Sequence, residues 1–318
     1  MRSCPAIELP EKDRLWGSCP NIAAAYILAV LFALTTCVHI AQAIIYRKGY
    51  CWVIIMSALW QTVCYVLRIL SIKYPASIGY YSGWFVLILV SPLWTNAFVY
   101  MVMGRMVYNF TSTARVFRIK AWRFTLYFVI LDVVAFIVQA GGASSASGQD
   151  KSERDVLLGL HIYMGGVGFQ QIFVLVFFYV AFRFQQQVRQ ESPGRLPQAL
   201  LLLYVEYAAL ILITIRIIFR LAEYSKGLNS TIPNHEVYQY VFDTLPMLVA
   251  LVIFNFVHPG RIMPGKISDF PRRKERKTYF KTNTLPFSSE LLPTQASMPE
   301  PNAFQPALQV VPSHGHVR

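Results

Sequence analysis

Apolar and polar positions along the chain alternate in long blocks. Seven apolar runs, each about twenty residues or longer, are separated by short polar loops. The runs cover Asn21–Ile45, Cys51–Ser71, Ser82–Val107, Trp122–Ala140, Leu157–Phe182, Ala199–Ala222 and Tyr238–Val257. At about 1.5 Å per helical residue, each is long enough to cross a hydrocarbon core of about 30 Å. The pattern predicts an all-α integral membrane protein, a seven-transmembrane-helix bundle over residues 21–260. A segment of residues 1–20 precedes it and a tail of residues 261–318 follows. The first twenty residues carry Glu8, Glu11, Lys12, Asp13 and Arg14 rather than a basic stretch leading into an apolar one. The first run is therefore read as a retained span.

Composition agrees with this reading. Of 318 residues, 55% are hydrophobic and only 14% charged, and mean hydropathy is +0.43. The net charge of +13 would suit a nucleic-acid binder, but its distribution does not. The loops after spans 1, 3 and 5 carry Arg47, Lys48, Arg115, Arg118, Lys120, Arg183, Arg189 and Arg195. The tail adds Arg261, Lys266, Arg272, Arg273, Lys274, Arg276 and Lys277. The alternate loops hold few basic residues. This positive-inside pattern predicts an extracellular amino terminus and a cytosolic carboxyl terminus. Asn229 in the last outer loop is then a glycosylation acceptor, and Asn109 in an inner loop should stay bare. The basic run PRRKERKTYFK reads as a stop-transfer block or a site for anionic inner-leaflet lipid. The Pro- and Ser-rich remainder reads as disordered.

Ionisable groups inside spans cost several kcal/mol each and need a partner or a wet cavity. Arg216, Arg220 and Glu223 share one face of span 6 near its outer end. Arg68 in span 2, Gln139 in span 4, His161 in span 5 and Asp243 in span 7 fall at similar depth. Asp132 and Gln170 lie below them, and Glu206 lies on another face of span 6, nearer the cytosol. Three readings stay open for the outer group: interface residues that snorkel, at least for Arg220 and Glu223, an ion-pair network that locks helices, or a polar cavity open to the outer leaflet. In a cavity, the arginines would suit a phosphate or carboxylate and the acids an amine. Gly141 and Gly142 permit close helix approach, and Pro92 and Pro246 can kink their helices. Cys4 and Cys19 can pair in an oxidising compartment or stand as two free thiols. His39, His161 and His258 lie at scattered depths, and no cysteine and histidine array occurs, so no zinc site or other metal site is expected. The absence of a phosphate-cradling glycine loop argues against direct ATP use.

The ordered residues of spans 2 to 7 resemble the fungal lipid-translocating exporter family, the RTA-like seven-transmembrane resistance proteins. Tyr65 and Arg68 match its second span, and Pro92, Tyr100 and Arg105 its third. Asp132, Gln139, Gly141 and Gly142 match a DxxxxxxQxxGG run, and Gly166 with Gln170 a segment of the fifth span. Arg216, Arg220, Glu223 and Gly227 match an RxxxRxxExxxG run. Glu236, Tyr238, Asp243 and the His258, Pro259, Gly260 close match the family's end. Where many members carry glutamate, this chain has Gln61. The resemblance implies a plasma-membrane protein that exports or flips sphingoid long-chain bases or toxic amphiphiles and confers resistance. It brings no catalytic motif and no bound cofactor. Membrane lipids and an amphiphilic small molecule are the implied partners. A seven-helix lipid sensor signalling through its tail is the alternative. The third span ends in GRMVYNF and the seventh in NFVHPG, which lack the usual receptor signatures.

Overall fold

The computed structural model describes residues 10, 16, 19–117, 119–146, 152–225, 235–265 and 268–271. The chain divides into two units, Met1–Phe270 and Pro271–Arg318, and the described helices all lie in the first. Gly227, Asn229, Cys4 and the basic and Pro-rich tail lie outside the described residues.

Among the described residues, seven helices are long and apolar enough to cross a membrane. Helix α1 is Ile22–Tyr46, and the side-chain oxygen of Asn21 caps it by accepting from Ala23 N and Ala24 N at 3.0 and 3.3 Å. Arg47 ends it in the left-handed conformation, φ 51°. A 3₁₀ turn, Gly49–Cys51, leads into α2, Trp52–Lys73. Helix α3 is Ile78–Phe110. A short hairpin, β1 Arg115–Val116 and β2 Ile119–Lys120, pairs antiparallel before α4, Ala121–Ala146. Helix α5, Glu153–Glu191, starts at Ser152, whose hydroxyl accepts from Asp155 N at 3.2 Å. Helix α6 is Leu196–Tyr224. Helices α3 and α5 outrun the apolar blocks that signal them. Beyond the apolar edge the sequence RFQQQVRQE keeps good helix formers, so the helix continues into water.

The seventh span is segmented. Helix α7, Glu236–Gln239, runs into a π-helical turn at Tyr240–Thr244 and then α8, Leu245–Phe256. Pro246 supplies a cause. It has no N–H, and its ring crowds the carbonyl four residues back. The wider turn, with Leu245 N–H bonded to Tyr240 O, relieves that crowding. One last turn, α9, is Pro259–Ile262.

Consecutive spans pack side by side, and α8 closes the bundle against α1 and α6. Helix α3 also touches α6 and α8, which makes it the central helix. Helices α4 and α5 approach backbone to backbone. A Cβ on Gly142 would strike the backbone of Tyr163 and Gly159, and one on Gly166 would meet Gln139 and the Ala135 carbonyl. Only glycine fits such a crossing. Gly141, next in line, faces open space. The outward faces carry exposed Ile, Leu, Val and Phe, such as Ile44, Ile137, Leu175 and Ile218, a band that lipid covers.

At the end that carries the basic loops, the chain folds back on the bundle. Lys48 Nζ donates to Gly265 O at 2.6 Å and to Ser268 Oγ at 2.5 Å, and pairs with Asp269 at 3.5 Å. Asn109 Nδ2 donates to Ser268 O at 3.0 Å. His258 caps α9 by accepting from Gly260 N at 3.0 Å. Its ring stacks on Tyr46, and a Cβ on Gly260 would strike Tyr46. The His258, Pro259, Gly260 run is thus a tight structural corner. The packed body extends to Phe270, whose ring meets Arg105 and Tyr108.

Candidate functional site

The opposite end holds the charges. On α6 the spacing of Arg216, Arg220 and Glu223 puts all three on the buried face. The π-helical turn presents Asp243 to them. Arg220 Nη2 donates to Asp243 Oδ2 at 2.5 Å, and Arg220 Nη1 to Glu223 Oε2 at 3.0 Å. Arg216 Nε lies 2.7 Å from Asp243 Oδ1. Two cations and two acids, all buried, make a neutral cluster between α6 and the seventh span. Attraction within it offsets the cost of removing four charges from water.

A proline completes the set. Pro92 lies inside α3 and has no N–H for the carbonyl of Ile88 four residues earlier. Arg216 Nη2 donates to that carbonyl at 3.0 Å. The gap in one helix thereby anchors the guanidinium of another.

Arg68 forms a second, separate cluster. Its guanidinium is fully buried and donates to Glu236 Oε1, to Gln239 Oε1 at 3.2 Å and to the Tyr240 hydroxyl at 3.2 Å. The rings of Trp84, Tyr240 and Trp16 surround it at 4.5, 5.0 and 5.1 Å, a cation–π cage. Glu236 also accepts from Asn21 N at 2.7 Å, which ties the start of α1 to the seventh span. One turn before Arg68 on α2, the Tyr65 hydroxyl bonds Thr244 Oγ1. Helix α2 therefore grips the π-turn from one side while α6 grips it from the other.

A third, polar layer joins α3, α4 and α5. Asn96 Nδ2 donates to Asp132 Oδ2 at 2.9 Å, and Tyr100 and Gln170 line the same carboxyl. Gln139 Nε2 donates to Gln170 Oε1 at 3.0 Å.

These positions divide what depth alone had grouped. Arg216, Arg220, Glu223 and Asp243 come together. Arg68 pairs with α7 instead, because helix neighbours, not depth, choose its partners. Gln139 joins Gln170 and Asp132 in the third layer. His161 does not join the outer polar group. It is exposed on α5, on a face that turns away from the buried Leu160 and Tyr163. Cys19 is disulfide-bonded. Asn96 escapes a reading that looks for charge, since an isolated asparagine in an apolar block gives no periodic signal. Glu206 is fully buried on α6, and no described residue donates to either of its oxygens. No group of three or more histidine, cysteine or acidic side chains that could hold a metal occurs among the described residues.

A family model described as RTA1 like protein matches residues 54–266. A protein of Emericella nidulans named probable lipid transporter atnI is 40% identical over 294 residues, which cover 85% of this chain and 77% of that protein. Protoporphyrin uptake protein 1 of Saccharomyces cerevisiae is 31% identical over 200 residues, or 61% of this chain and 64% of that one. Sphingoid long-chain base transporter RSB1 of Saccharomyces cerevisiae is 20% identical over 290 residues, covering 80% and 76%. No solved structure matches.

Proposed function

The chain belongs to the RTA1-like family of multi-pass membrane proteins, and from that premise we propose that it translocates amphiphilic lipids, with sphingoid long-chain bases as the cargo class. Its lipid-transporter role rests on relatives that carry that name. The finer reading is a plasma-membrane exporter with its amino terminus outside, conferring resistance to toxic amphiphiles. The basic loops and tail support that orientation, since basic-rich and basic-poor segments alternate along the sequence.

The observation that carries the mechanism is the neutral cluster of Arg216, Arg220, Glu223 and Asp243. It closes the outer end of the bundle. It sits on a π-turn, where the backbone already departs from a regular helix. A group of charges that satisfy one another can part around a polar headgroup and re-form behind it. An apolar seal could not solvate the head, and a lone charge would hold it too long. In this reading Arg216 and Arg220 hold the acids in place, and the acids meet the cationic head of the passing lipid. Energy comes from an ion gradient or from the lipid asymmetry itself.

The test is phytosphingosine resistance in a yeast lacking its own exporter of this kind. Wild type, Glu223→Gln and Asp243→Asn are compared at measured surface levels. The expected result is rescue by the wild type and loss of rescue in both variants at normal surface abundance. A surface-expressed wild type that gives no rescue removes sphingoid export from the reading and leaves lipid sensing through the tail as its rival. Variants that fail to reach the surface would assign the cluster to folding rather than passage.

A further inference from the structure

Among the described residues, five acids lie within the spans away from the ends of α5: Asp132, Glu206, Glu223, Glu236 and Asp243. Four are satisfied. Asp132 accepts from Asn96, Glu223 from Arg220, Asp243 from Arg220, and Glu236 from Arg68 and Asn21. Glu206 is the exception. Its side chain is fully buried, and neither oxygen meets a described donor. A carboxyl left without hydrogen bonds inside a protein costs several kcal/mol. Such a group survives in a span when it has a task to perform.

We propose that Glu206 is the binding residue for the cationic head of the cargo within the membrane. The inference rests on the reading of the chain as a transporter of amphiphilic lipids. Counted along α6, Glu206 lies about 15 Å from the first residue of the helix and about 15 Å from Arg216. It is therefore far from the outer cluster and on another side of α6, though buried like it. Buried Leu202, Leu203, Leu210 and Ile213 flank it along the helix, a setting for a hydrocarbon chain. The buried Tyr50 hydroxyl also has no described partner, and the Arg105 guanidinium lies over its ring at 3.8 Å. A carboxylate with both oxygens open suits an ammonium, which would donate to Glu206. The acids of the outer cluster lack this capacity until the cluster opens, because arginines already fill them.

The test compares a long-chain amino alcohol, phytosphingosine, with its N-acetyl derivative, which keeps the chain and hydroxyls but carries no charge. Binding is measured to the full chain in lipid nanodiscs. Wild type should favour the amine. Glu206→Gln, nearly equal in shape, should lose at least about tenfold in affinity for the amine and bind the N-acetyl form as before. A second measurement needs no variant. A hydrophobic carbodiimide should modify Glu206 in the wild type, as mass spectrometry of the digest would show. Phytosphingosine should protect it and N-acetylphytosphingosine should not. Unchanged amine preference in the variant, or modification that the amine leaves untouched, overturns the assignment while the transport reading stands. A wild type that binds neither lipid removes the transport reading and this assignment with it.

Discussion

The guanidinium of Arg68 is held on every side by carboxylate, amide, phenol and three aromatic rings. Breaking a buried ion pair on one side leaves the other charge stranded, at about 3–5 kcal/mol. Arg68→Met and Glu236→Gln should each lower the unfolding midpoint in detergent strongly. The double variant should lose much less than the sum, because the second change removes a charge the first had stranded. Simple additivity in that double-mutant cycle would show that the two side chains do not act as a pair. At this scale the sequence reports some things and hides others. The spacing of Arg216, Arg220 and Glu223 is enough to place them on one face. The partner of Arg68 is not visible, since it depends on which helix packs beside α2. His161 reads as a member of the outer polar group, but its helix is rotated so that it points outward. Glu206 is visible as an acid in an apolar block, but the lack of any described donor around it is not.

Two elements turn sequence detail into geometry. At the α4–α5 crossing, Gly142 and Gly166 leave no room for a side chain, while Gly141 one position away has open space. Gly142→Val and Gly166→Val should each destabilise the protein by about 1–3 kcal/mol through overpacking. Gly141→Val should be close to neutral. Thermal midpoints of the three variants in one detergent check this, and equal losses at all three positions would refute it. The other element is the π-turn at Tyr240–Thr244. Pro246→Ala supplies the missing N–H and lets an ordinary α-turn form. That slips the register by one residue, about 100°, and takes Asp243 out of line with Arg216 and Arg220. Transport should fall while the surface level holds. The apolar blocks gave the seven spans and their order, because burial in lipid needs only length and hydropathy. The π-turn is hidden from such a reading. It is a backbone response to one proline and to the side chains that grip it.

For the whole molecule, the asymmetric distribution of charge predicts orientation. Asn109 sits among the basic loops with its amide donating to Ser268 O, and Asn229 falls in the alternate set. Enzymatic deglycosylation should shift the wild-type band, Asn229→Gln should abolish the shift, and Asn109→Gln should leave it unchanged. A shift lost with Asn109→Gln instead would invert the topology. The orientation also gives direction to the two polar stations on α6. Glu206 would receive a head nearer the cytosolic side, and the outer cluster would part to release it.

The bond from Arg216 to the carbonyl that Pro92 leaves open has a hereditary consequence. Two positions far apart in the chain, on different helices, share one vacancy and its filling. A lineage that loses the proline regains an ordinary helical bond and no longer requires the arginine. One that loses the arginine strands the carbonyl. Substitutions at 92 and 216 should therefore travel together, and a library randomised at both sites should recover working sequences that neither site yields alone.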